Sequence, residues 1–142
     1  MYCNYYEEKD NCTKDFGPEP LVINIDQKTD LNKNYRNALW TGEYLQVTLM
    51  SIGVGESIGL EMHECVDQFI KIEEGYGLVK MGKCKECLSF QKNAKEGYCV
   101  IIPAKTWHNL INIGNCPLKI YSIYAPPNHK KGVCQKYKED RE

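Results

Sequence analysis

Eight short β-type runs, each closed by turn residues, account for most of the apolar sequence between positions 21 and 125 of this 142-residue chain. They are LVINI (21–25), YLQVTLMSI (44–52), SIGLEMH (57–63), FIKIE (69–73), YGLVKM (76–81), YCVII (98–102), HNLINI (108–113) and LKIYSIY (118–124). Between them lie GVGE, EEGYG, NAKEG, PAKTW and NIGN, rich in the residues that reverse a chain. Many short strands at this spacing predict an antiparallel sandwich or barrel, all-β in class. One helical stretch is expected, over residues 30–39 with Asp30 as N-cap. Residues 1–20 are polar and end in GPEP, which reads as an N-terminal arm; the Pro-led, charged stretch 126–142 reads as a mobile tail. The length suits one domain, over residues 21–125.

Charge and cysteine usage narrow the function classes. Eighteen basic and nineteen acidic residues leave a formal net charge of -1, so no basic stripe is available for a phosphate backbone. Nucleic acid is therefore not an expected partner. No apolar run approaches the ~20 residues that cross a bilayer, so no membrane partner is expected either. The first residues, MYCNYYEEKDNC, contain no apolar signal-peptide core, which predicts a cytoplasmic protein. In that setting the eight scattered cysteines are expected to be mostly reduced thiols. Cys84 and Cys87 form a CxxC on an expected hairpin; they supply half of a structural zinc site, which Cys116 completes only if its turn meets theirs. Inert turn thiols are the default reading for all three.

The chemistry concentrates around two of the three histidines. Residues two apart in a strand share a face, so Glu61 and His63 point the same way, with Ile58, Leu60 and Met62 opposite. A short turn through 64–67 then brings Gln68 back beside them on a neighbouring strand. His108, from a later strand, adds a fourth donor. Two imidazole nitrogens and two oxygens suit one divalent metal ion (Zn, Mn, Fe, Ni or Co) with coordination positions left over. Cys65 has the parity of His63, but a buried, unreactive thiol is the expectation. His129 lies in the tail and is expected to be solvated. Tyr98, Trp107 and Tyr121 are expected to pack. Gln46, Thr48 and Met50 alternate with Val47 and Leu49, and the sequence does not decide which set faces inward.

These residues fall at the spacings of the cupin superfamily, which the chain resembles. Gly55, Glu61, His63, Gln68 and Gly75 fit its first motif, and Gly97, Pro103, His108 and Asn112 fit its second. Glu61 stands where the first His is usual, Gln68 where Glu is usual, and Lys105 where the second motif has Gly. The resemblance implies a double-stranded β-helix, or jelly-roll barrel, with Glu61, His63, Gln68 and His108 around a metal. It is nearest to small single-domain bacterial cupins likened to mannose-6-phosphate isomerases, and it also implies a homodimer. Three functions stay open: a Lewis-acid isomerase or epimerase, an Fe(II) oxygenase, and a non-catalytic ligand-binding or assembly protein. The expected ligand is a small oxygen-rich molecule, carboxylate or sugar-like.

Overall fold

Antiparallel pairing organises every strand of the computed structural model, which describes residues 12–142. A short helix, α1 (Ile25–Leu31), precedes β1 (Arg36–Thr41), β2 (Gln46–Ile52), β3 (Asp67–Glu74), β4 (Tyr76–Gly82), β5 (Phe90–Lys95), β6 (Cys99–Ile102), β7 (Trp107–Asn112), β8 (Leu118–Ala125) and β9 (Cys134–Gln135). One sheet has the order β6-β3-β8-β2-β1-β9 and the other β5-β4-β7. The consecutive strands β7 and β8 lie in different sheets, as do β3 and β4, so the chain winds between two layers. This is a double-stranded β-helix. Ile70, Ile72, Met50, Ile52, Leu118 and Ile120 from the larger sheet meet Val79, Met81, Ala94 and Leu110 from the smaller in one buried core.

Strand register grades this interior along the barrel. Tyr124 on β8 is flanked by Gln46 on β2 and Gln68 on β3, and Ser122 by Thr48 and Ile70. The next rows are Ile120 between Met50 and Ile72, then Leu118 beside Ile52. Side chains directly opposite one another share a face, so the polar rows gather at one end and the aliphatic rows at the other. Gln46, Thr48 and Met50 are buried, and Met50 joins the core cluster while the equally buried Leu49 does not, which puts their face inward.

Several local expectations are corrected. The helix is α1 rather than residues 30–39: Asn24 caps it by accepting from the Gln27 N–H, while Asp30 falls in its last turn. Residues 36–41 are strand because pairing with β2 overrides the modest strand preference of RNALWT. LVINI forms no strand, since Ile25 already begins the helix. SIGLEMH is not a continuous strand either. Gly59 takes φ +90°, which breaks the alternation, so Ile58 is buried and Leu60 exposed, and only single bridges at Ser57 and Glu61 reach β7.

The segments at both ends also pack. Phe16 N–H donates to the Leu39 carbonyl, and the Asp15 carboxylate accepts from Thr41 and Gly132. Residues 128–135, expected within a mobile tail, are held: Gln46 Oε1 accepts from the Asn128 and His129 N–H groups, and β9 pairs with β1. The cysteines are not mostly reduced, since Cys12–Cys134 and Cys84–Cys87 are disulfides. Cys65, Cys99 and Cys116 are free, with Cys65 exposed rather than buried. The ladder sets Gly82 opposite Trp107 at one end and Gly77 opposite Asn112 at the other. The CxxC follows the first end and Cys116 the second, so these turns do not meet. No helix among the described residues is long and apolar enough to cross a membrane. Cys3 lies outside the described residues.

Candidate metal centre

Glu61 and His108 face each other across a narrow bridge, each N–H donating to the other's carbonyl at 3.1 and 2.9 Å. Opposed residues at such a bridge hold their side chains close together on one face. His63 is fixed two residues on, where its carbonyl accepts from Lys105 N–H at 2.7 Å. The neighbouring turn is tied again by Ala104 N–H donating to the Asp67 carboxylate at 2.8 Å. Gln68 then enters on β3 as the inward residue of the Tyr124 row. Backbone bonds thus place four side chains before any bond among the side chains themselves.

Glu61 Oε1 lies 3.8 Å from His63 Nε2 and 3.7 Å from His108 Nε2. These three donor atoms all lie within 4.8 Å of one another. Atoms bonded at ~2.1 Å to one ion are at most about 4.2 Å apart, so a small inward shift would suffice to share an ion. His108 Nδ1 is 2.8 Å from the Thr106 carbonyl. A proton on Nδ1 makes that bond and leaves the Nε2 lone pair turned toward Glu61. Gln68 Nε2 points at Ser122 Oγ, which leaves Oε1 for the cluster. The structure thus brings Glu61, His63 and His108 together, with Gln68 set against His63.

Four buried atoms here have no hydrogen-bond partner among the described residues: Glu61 Oε1, His63 Nε2, Gln68 Oε1 and His108 Nε2. A buried polar atom left unpaired costs about 1–3 kcal/mol, and a set of them with three grouped this closely is the pattern a cation relieves. The donor set, two neutral nitrogens, one neutral oxygen and one carboxylate, fits a divalent ion of the Zn, Mn, Fe or Ni kind. Electrostatics agrees. Burial pushes the Glu61 carboxyl up, but the pull of His108, His63 and Arg36 outweighs it and holds the group below the usual range. Burial, followed by the opposing charge of Glu61 and the like charge of His108, leaves His63 below the ordinary imidazole value. An ionised Glu61 carboxylate beside a neutral His63 imidazole is the state in which such groups coordinate metals.

The family assignment rests on a match that spans these residues. Positions 48–124 match the cupin domain family. The chain belongs to the cupin family. This cupin is 56% identical over 135 residues to YrkC of Bacillus subtilis (strain 168), covering 95% of the chain and 73% of YrkC. The crystal structure of BH2720 from Bacillus halodurans is similar at TM-score 0.87 and 55% identity, over 87% of this chain and 94% of that one. A conserved Klebsiella pneumoniae protein with a double-stranded beta-helix domain has TM-score 0.63 at 17% identity, covering 84% of this cupin and 100% of its own chain, a likeness of fold alone.

Two interior residues were not anticipated from the sequence. Arg36 projects inward from β1, 6% exposed, with Nη2 4.0 Å from Met50 Sδ. The His129 side chain is not solvated: it turns inward with Nε2 3.2 Å from Tyr124 Oη. Burial first of all pushes the Tyr124 hydroxyl up to about 12. The signals for both were faint. Arg36 is one of only two arginines in the chain, and His129 is the third of three histidines.

Proposed function

We propose that this cupin holds one divalent cation through Glu61, His63, Gln68 and His108 and uses it to bind a small oxygen-rich molecule for isomerase- or epimerase-type proton transfer. The observation that carries the reading is a set of buried, unpaired donor atoms, three of which lie within 4.8 Å of one another. When bound, such an ion supplies Lewis acidity toward a carbonyl or hydroxyl oxygen. The chain's own groups supply the rest. The Thr106 carbonyl keeps His108 in the tautomer that presents Nε2. Tyr124 keeps its proton at neutral pH, and with His129 Nδ1–H given to Glu142 that hydroxyl donates to His129 Nε2. His129, held neutral chiefly by burial and next by Arg36, sits against that hydroxyl and is placed to accept a proton.

A second reading has one observation of its own. Glu61 with His63 and His108 is a two-histidine, one-carboxylate set, the donor combination of non-haem Fe(II) oxygenases. One experiment addresses both. Elemental analysis of anaerobically purified protein should give one divalent metal per chain, falling to a small fraction of that in His63→Ala and in His108→Ala. Zn or Mn without oxygen uptake supports proton-transfer chemistry, whereas Fe with substrate-dependent oxygen uptake supports the oxygenase. Full metal content in both alanine variants would sink the proposed site.

A further inference from the structure

A guanidinium buried in a barrel calls for an anion, and Arg36 has one only in part. Its Nη1 bonds Gln135 Oε1, its cationic carbon lies 5.3 Å from the Tyr35 ring centre, and its Nε has no hydrogen-bond acceptor among the described residues. The carboxylate of Glu142 stands 3.8 Å from Nη1, a charge contact longer than a hydrogen bond. The same Glu142 oxygen bonds His129 Nδ1. His129 leads on to the Tyr124 hydroxyl, and the Tyr124 ring meets His63 edge-on with centres 6.0 Å apart. A continuous polar wall therefore runs from Glu142 to the four-donor cluster. Glu142 is unlike the rest of that wall because 36% of its side chain is exposed, against 7% for both Arg36 and His129.

We infer that Arg36 and His129 form a subsite for the carboxylate of a small organic acid, and that the Glu142 carboxylate fills it until such a ligand enters. The part of this inference that places the ligand's other oxygens at Glu61, His63, Gln68 and His108 rests on the proposed metal site; the subsite itself does not. Arginine is suited to the role because its charge is permanent and its planar fork matches two carboxylate oxygens. The orphaned Nε and the long contact to Glu142 mean that a free carboxylate seated squarely on Arg36 would gain a bond that Glu142 does not make. Glu142 is attached to the chain, so it competes at an effective concentration in the millimolar range. Removing its charge should uncover the subsite.

The test uses metal-free protein, so that loss of the metal reading and loss of this one are separable. Glycolate is titrated by NMR into the parent, into Glu142→Gln, and into Glu142→Gln combined with Arg36→Met or with His129→Asn. Glu142→Gln should bind glycolate at least tenfold more tightly than the parent, and each second substitution should remove most of that gain. His129→Asn preserves the test if Arg36→Met fails to fold. Metal content of Glu142→Gln, measured in parallel, should equal the parent's. Equal glycolate affinity in parent and Glu142→Gln, or a gain that survives loss of His129, would overturn the subsite and reduce Glu142 to a structural clasp. Inorganic phosphate binding to Glu142→Gln as tightly as glycolate would overturn the assignment to carboxylates.

Discussion

Gln68, 3% exposed and set against His63, would bring the proposed metal site a second oxygen without a second negative charge. Gln68→Glu should therefore move metal-free and metal-loaded protein in opposite directions. Without metal, two buried carboxylates repel and the melting temperature falls; with metal, the extra charge tightens divalent binding by about tenfold or more and raises the pKa of a water on the ion. Weaker binding across several metals would show that Gln68 is not a ligand. The imidazoles predict a pH dependence whose sign can be worked out. Burial holds His63 and His129 below 6.5, so between their folded values and 6.5 the unfolded chain binds more protons than the folded one. Stability of the metal-free protein then rises with pH and is lost as pH falls below 6.5 toward those folded values. Glu61, also held low, adds a loss of the same sign below its ordinary 4.5. Melting temperatures from pH 5 to 8 should climb to about pH 7 and level off; a flat profile would contradict the buried neutral state. The grouping of Glu61, His63 and His108 was readable from the motif spacing, although His63 lies outside any strand. Arg36 and His129 were not, because they come from segments whose local composition suggested a helix and a solvated tail.

Turns explain why the motif spacings take the form they do. Asn112, the last residue of the second motif, donates from Nδ2 to the Ile52 and Cys116 carbonyls and accepts from Gly114 N–H, locking the β7–β8 turn to β2. Gly75 joins β3 to β4 at φ +102°, where an added Cβ would come within 3.0 Å of Leu118 Cα. Both positions were legible as pattern, and the structure supplies the mechanics. Lys105 departs from the pattern and carries the strain. It takes φ 65° where the family has glycine, while its N–H must still reach the His63 carbonyl. A side chain in that region costs about 1–2 kcal/mol, partly offset by the stiffer unfolded chain that a non-glycine residue gives. Lys105→Gly should thus stabilise the protein by about 0.5–1 kcal/mol, a rise of about 2–3 °C in melting temperature. Lys105→Ala keeps the Cβ and should give no such rise; an equal gain in both variants would assign the effect to the lost charge instead. The helix and the 57–63 segment were misread for the opposite reason. Their outcome depends on what they pair with, which local composition does not record.

At the scale of the molecule, the barrel separates holding the fold from holding the ligand. Aliphatic rows at one end carry the packing, while polar rows at the other carry Glu61, His63, Gln68 and His108, and this gradient was only half visible because the sequence left the face of Gln46, Thr48 and Met50 open. What no pattern revealed was the clasp that closes the larger sheet. Cys12 is bonded to Cys134 across 122 residues of sequence, and β9, which begins at Cys134, sets Gln135 against Arg36. A cross-link over a loop of that size restricts the unfolded chain by about 5 kcal/mol in the loop-entropy account. For a domain of this length each kcal/mol is worth about 2–4 °C, so Cys134→Ser should lower the melting temperature of the oxidised protein by about 10–20 °C. Cys84→Ser with Cys87→Ser is the control, since it removes a bridge that closes a loop only three residues apart in sequence. Glu61, His63, Gln68 and His108, the proposed metal-site residues, are positioned by β3, β7 and the bridge at Glu61, none of which pairs with β9. Metal stoichiometry should accordingly survive Cys134→Ser below its melting temperature. A parallel loss of metal would mean that the β9 clasp braces the centre, whereas no change in melting temperature would show that the bridge adds nothing to the paired strands and the Gln46 contacts that already hold this segment.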